Sequence, residues 1–202
     1  MKKLSLIFLA ATIGFAADAA TSLNVVKGNI TYNFNADGEN ALGYMPFTNE
    51  GRTLTIQGSE IDLTTITNIH VGTRVLDDNT VEVVYNGQSA TVTIAGNIYG
   101  LVTAAFDGAH VTLDQSSDVG DDTGEITYIL KGESADGSLV LNGKYKATVE
   151  LQGLTLTNPS GAAIDIQNGK RIEFSSKNGY TNYLTDGKNG SQKGALYCKG
   201  HL

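Results

Sequence analysis

The sequence predicts an all-β protein in which an antiparallel β module is followed by the first coils of a parallel β-solenoid. Three observations predict this. First, the last third repeats a phrase of glycine, small residues and an apolar-x-apolar triplet: Gly137-Ser-Leu139-Val-Leu141, Gly161-Ala-Ala-Ile164-Asp-Ile166 and Gly194-Ala-Leu196-Tyr-Cys198. The triplets start 25 and then 32 residues apart, a period of repeat architectures rather than of a helix. Second, between them lie Val149-Glu-Leu151, Leu154-Thr-Leu156 and Ile172-Glu-Phe174, apolar-polar-apolar as strands require. Third, Asn142-Gly143, Gly153, Asn158-Pro159, Asn168-Gly169 and Asp186-Gly187 separate the triplets and suit corners of a coil. An antiparallel meander with hairpin turns is the alternative reading of the same period.

At the N-terminus, Lys2-Lys3, an apolar run from Leu4 to Phe15 and Ala17-Asp18-Ala19 read as a secretory signal peptide over residues 1–19. The run is too short for a bilayer, and no later stretch approaches the ~20 apolar residues of a membrane helix. Export without membrane insertion is expected, to the periplasm, the cell surface or the medium. With one cysteine, Cys198, no intrachain disulfide forms, and its place in an apolar triplet reads as a packed thiol. Nine tyrosines, six phenylalanines and no tryptophan fit a core of Val, Ile and Leu.

Residues 20–118 read as an antiparallel module. Ile30-Thr-Tyr-Asn-Phe34, Thr53-Leu-Thr-Ile56 and Thr80-Val-Glu-Val-Val-Tyr85 alternate or are β-branched. Tyr85-Asn86-Gly87-Gln88 predicts a hairpin joining 81–85 to 90–94, and Asp107-Gly108 one joining 102–106 to 110–113. The acidic stretch 114–125 reads as a boundary loop, with 119–125 as the linker and 126–202 as the coils, expected to be incomplete. Its carboxylates suit either calcium or plain solvation, and it lacks the ordered ligand spacing of a calcium hand.

Charge is uneven. Residues 20–143 carry four basic and 16 acidic groups, whereas 144–202 carry eight basic and four acidic. The eight are Lys144, Lys146, Lys170, Arg171, Lys177, Lys188, Lys193 and Lys199, placed at the corners. Overall acidity argues against nucleic acid as a partner, while a cationic face on a solenoid suits an anionic polymer such as a polyuronate. Lysines that keep sheet edges soluble give the same pattern.

Leu151-Gln-Gly-Leu-Thr-Leu-Thr-Asn-Pro-Ser-Gly-Ala-Ala-Ile164, Asn168-Gly-Lys-Arg-Ile172 and Asn182-Tyr-Leu-Thr-Asp-Gly187 carry a resemblance. They resemble the secreted carbohydrate-binding β-helix family of Bacteroidales, related to polygalacturonate-binding clostridial proteins, over about residues 126–202. The resemblance implies a right-handed parallel β-helix, non-catalytic binding of acidic plant polysaccharide such as pectin, and calcium held by oxygen ligands. Members of that family continue through further coils, whereas this sequence stops at Lys199-Gly-His-Leu202. A fragment is therefore expected, with its open last coil prone to edge-to-edge self-association.

Within these coils the candidates for carboxylate groups are Lys170, Arg171, Lys188 and Lys193. Arginine grips a carboxylate bidentately and lysine supplies a point charge. Tyr180 and Tyr183 offer either stacking surface to a sugar or core packing. Asp186, with Asn189 and Asp165, is the candidate oxygen set for calcium, or else a turn aspartate. Catalysis is not expected. The acids Glu150, Asp165, Glu173 and Asp186 are dispersed, Glu150 and Glu173 are expected to stack as an outward ladder, and His70, His110 and His201 lack a serine or cysteine partner pattern. A structural or adhesive surface solenoid without a sugar ligand is the rival reading, ahead of a pectin-degrading enzyme.

Overall fold

The computed structural model describes residues 21–36, 45–188 and 194–202. The signal peptide, Asn189 and Lys193 lie outside these residues. Seventeen strands and three short 3-10 turns (Asn49–Gly51, Leu63–Thr65 and Gly96–Ile98) make up the described elements, so the chain is all-β with almost no helix.

The largest sheet is open and nine-stranded. It contains β1 (Ser22–Lys27), β2 (Ile30–Asn35), β6 (Asn68–Gly72), β7 (Thr80–Asn86), β8 (Ser89–Ala95), β11 (Ile126–Ser134), β13 (Ala147–Asn158), β15 (Ile172–Ser176) and β16 (Tyr183–Asp186). Their spatial order is β15-β13-β11-β7-β8-β2-β1-β6, with β16 also on β13. A five-stranded sheet runs β17-β14-β12-β10-β9, made of β9 (Val102–Asp107), β10 (Ala109–Gln115), β12 (Gly137–Asn142), β14 (Ile164–Ile166) and β17 (Leu196–Cys198). The small third sheet, β3 (Phe47–Thr48), β4 (Thr53–Ile56) and β5 (Ser59–Asp62), is wholly antiparallel.

Both hairpins read from the sequence form. β7 pairs antiparallel with β8 and β9 with β10, with Val83 opposite Val92 and Val111 opposite Phe106. The N-terminal segment is not purely antiparallel, however, because β2 lies parallel to β8. Beyond residue 125 every described pairing is parallel, so an antiparallel meander does not describe these strands. The recurrent triplets stack in register: Leu139 beside Ile164 beside Leu196, and Leu141 beside Ile166 beside Cys198. Val149-Glu-Leu151 and Leu154-Thr-Leu156 form one twelve-residue strand, β13, whose pairing with β11 slips at Leu130/Gly132.

The expected Glu150–Glu173 ladder does not form. Glu173 lies beside Thr148 and Glu150 beside Ser175, because Ile172 packs in line with Ala147 rather than with Val149. This two-residue offset keeps the apolar parity of both strands and separates the like charges.

Strands on both sides of the 119–125 loop share these sheets, β7 with β11 and β10 with β12, and their inner faces contribute to one hydrophobic cluster. Val81, Val83, Tyr128, Leu130, Val149 and Leu156 line it from the large sheet, and Val111, Leu113, Leu139, Leu141, Ile164 and Ile166 from the five-stranded one. The acidic loop is tied down rather than free. Asp121 accepts from the Tyr145 hydroxyl at 2.6 Å, and Glu125 accepts from Thr148 at 2.9 Å and Arg171 at 2.7 Å.

Candidate functional site

The candidate residues follow β13, the longest strand. Its first half carries β15 and its second half β16, so β15 and β16 form a broken row along one edge of the large sheet. Lys170 and Arg171 stand at the start of this row, beside the Ala147 end of β13. Lys188 stands past its finish, where Asp186 pairs with Asn158. Twelve strand residues at roughly 3.3 Å each place the two ends at most about 40 Å apart, and less where the strand bends at the Gly153 bulge. The basic residues therefore spread along the strand direction instead of gathering in one cluster.

Between these ends sit the two tyrosines. Tyr183 is 62% exposed and Tyr180 49% exposed, which settles the choice between core and surface in favour of surface. The break between β15 and β16 is held by Asn182, which accepts from the Leu154 backbone N–H at 2.8 Å and donates to Ser176 Oγ at 2.8 Å. The chain bulges opposite this break at Gly153, with φ +75°. A Cβ there would come within 3.2 Å of Tyr180 Cδ1, so glycine both permits the backbone turn and leaves room for the ring. Tyr183 stands beside Thr155 on the next part of the strand. Tyr197, 38% exposed on β17, is a third surface tyrosine that the sequence reading passed over.

The cations differ in what they already hold. Arg171 donates to Glu125, and its other terminal nitrogen lies 3.7 Å from Glu173, so much of its charge is matched within the protein. Lys177 lies 3.9 Å from Glu150. Lys170 and Lys188 are exposed and make no ion pair among the described residues. The Lys170 backbone is fixed by Asn168, a fully buried residue whose Oδ1 accepts from its N–H at 3.0 Å.

Of the candidate calcium ligands, the two described ones stand on different sheets. Asp165 lies on β14 in the five-stranded sheet and accepts from Gln167 at 2.6 Å, whereas Asp186 ends β16 in the other sheet. No group of three or more His, Cys, Asp or Glu is placed to hold a metal among the described residues. Calcium needs six to eight oxygens, more than these two carboxylates supply.

His110 corrects the sequence reading. Parallel pairing sets it beside Ser138, so that Nδ1 lies 2.9 Å from Ser138 Oγ and Nε2 lies 3.2 Å from Asp136 Oδ1. The residues are 26 and 28 positions away, a separation that only the strand register bridges. Ser138 is 7% exposed, and the trio ties β10 to β12 and to the turn that carries Asp136.

The matched part of the chain begins at the β9–β10 hairpin. Residues 107–202 match a family described as carbohydrate-binding domain-containing protein. That carbohydrate-binding match takes in all of β10 to β17, and with them the tyrosines, Lys170 and Lys188. Comparison with curated proteins and with solved structures found no match. No helix of the described residues is long and apolar enough to cross a membrane.

Proposed function

We propose that the chain is an exported, non-catalytic carbohydrate-binding protein whose β15–β16 row lies along an acidic polysaccharide of the polygalacturonate type. The carrying observation is the linear order Lys170, Tyr180, Tyr183, Lys188 along one sheet edge, inside the segment matched to the carbohydrate-binding family. Exposed tyrosine rings offer apolar area to sugar faces, and lysines that make no ion pair among the described residues, one at each end, favour uronate groups. A polymer, unlike a small sugar, reaches both ends at once.

We read residues 109–202 as coils of a right-handed parallel β-helix, on the strength of the in-register stacks through β10, β12, β14 and β17. Each coil then adds another outward row, and the row that ends the described sheet is the one bearing the tyrosines. Arg171 serves in this reading by holding the Glu125 loop, and calcium supplies no step.

Retention of the full chain on insoluble polygalacturonate tests the proposal. Retention that falls with salt, falls further in Lys170→Glu/Lys188→Glu, and survives chelator supports it. Equal retention on a neutral glucan, or retention unaffected by the double charge reversal, overturns it.

A further inference from the structure

A second polar site lies at the far edge of the large sheet, outside the matched segment. A cleft of about 240 Å³ is lined by Asn24, Thr31, Asn33, His70, Gly72, Thr73, Arg74, Leu76 and Thr93. It sits on the outward face, where the register places His70 beside Asn24 and Asn24 beside Asn33. Outward positions of an edge sheet are ordinarily solvated, yet Asn24 is 9% and Asn33 5% exposed.

Two devices build this floor. The segment after β6 folds over it: Asn33 Nδ2 donates to the Arg74 carbonyl at 3.0 Å, and Asn33 Oδ1 accepts from the Leu76 N–H at 2.8 Å. Gly72 leaves room for the Asn24 side chain, since a Cβ there would overlap Asn24 Nδ2. Asn33 Nδ2 also donates to Asn24 Oδ1 at 2.7 Å, and Asn24 Nδ2 donates to Ser22 Oγ at 3.3 Å. Asn33 thereby spends both amide hydrogens, while Asn24 keeps one hydrogen and one lone pair.

The charge of the lining runs against its surroundings. Residues 20–143 carry 16 acidic groups to four basic, but among the described residues the cleft is lined by Arg74 and His70 and by no carboxylate. Glu82, on β7 behind Arg74, is matched twice: by Arg74 Nη1 and Nη2 at 2.7 and 2.5 Å and by Lys131 Nζ at 2.6 Å. Two cations to one carboxylate leave the trio net positive, and two of the five Arg74 donors are used on it. The volume lies below the ~300–1,000 Å³ of drug-sized pockets, enough for one ring-sized group. With no Phe or Tyr among the described lining residues, recognition falls to hydrogen bonds and charge.

We propose that this cleft binds a single carboxylate-bearing sugar ring, its carboxylate toward Arg74 and His70 and its hydroxyls toward Asn24, Thr31 and Thr93. The site is independent of the β15–β16 row. Galacturonate, galactose and acetate are titrated separately into the full chain, with the side-chain amides of Asn24 and Asn33 followed by NMR. Saturable amide shifts with galacturonate, at least fivefold weaker for galactose and for acetate, support the assignment. His70→Ala and Thr93→Val should each weaken galacturonate at least threefold with unchanged melting temperature, and Lys170→Glu/Lys188→Glu should leave it unaltered. No saturable shift, equal affinity for acetate, or full affinity in both cleft variants overturns it.

Discussion

The Tyr85 hydroxyl donates to the Ser138 carbonyl oxygen at 3.0 Å, joining β7 of the nine-stranded sheet to β12 of the five-stranded sheet through the interior. Both residues are buried, and the bond crosses the boundary between the N-terminal strands and the segment matched to the carbohydrate-binding family. The two parts of the chain thus share polar as well as apolar interior.

Tyr85→Phe should cost about 1 kcal/mol, with the Ser138 carbonyl left unpaired. Tyr128→Phe should behave oppositely. Its hydroxyl is buried beside Gln115, but among the described residues neither Tyr128 Oη nor Gln115 Nε2 makes a hydrogen bond of normal geometry, so their mutual contact compensates burial weakly. Removing a group that is desolvated with weak compensation should be neutral or stabilising. Urea unfolding of the two variants checks the contrast.

Acid should expose the Glu82 trio. Burial pushes the Glu82 carboxyl up, but hydrogen bonds from Arg74 and Lys131 outweigh burial and hold it below its ordinary value. A depressed carboxyl stabilises the fold above the unfolded-state value near 4.5 and loses that contribution as pH falls through the folded-state value. Glu82→Gln should therefore be less stable than the parent at pH 7, and the difference should shrink steadily below pH 4.5. Paired denaturation curves between neutral and acid pH read this directly.

The tyrosine platform depends on the break between β15 and β16. Asn182→Ala removes the acceptor for the Leu154 N–H and should cost about 1–2 kcal/mol. Gly153→Ala places a Cβ at positive φ and against Tyr180, and should cost about 1–2 kcal/mol on backbone grounds alone. Both should also reduce polygalacturonate retention. Tyr180→Ala/Tyr183→Ala should reduce it without loss of stability, because both rings are exposed.

How much of this was legible in the sequence depended on the range of the signal. The triplets at 139, 164 and 196 stacked as the period implied, since apolar alternation is a local property that fixes which side chains face inward. The hairpins at Gly87 and Gly108 were likewise local. Register was not: Val149-Glu-Leu151 and Ile172-Glu-Phe174 look equivalent, yet packing sets Ile172 beside Ala147. The same limit hid His110–Ser138 and the commitment of Arg171 to Glu125, 46 positions away. That Lys170 and Lys188 lie outside the strands was readable, but their separation along β13 was not, because it follows from β15 and β16 sharing one long neighbour. The Asn24–Asn33 cleft left no sequence signal beyond two polar residues in strands.

The most direct test of the proposed polysaccharide track is affinity against oligogalacturonates of increasing length. With Lys170 and Lys188 at opposite ends of the β15–β16 row, affinity should climb with length until one oligomer reaches from the first lysine across both tyrosines to the second, and Lys170→Glu/Lys188→Glu should flatten that climb. A trimer bound as tightly as the longest oligomer, or no binding at any length, would contradict the account.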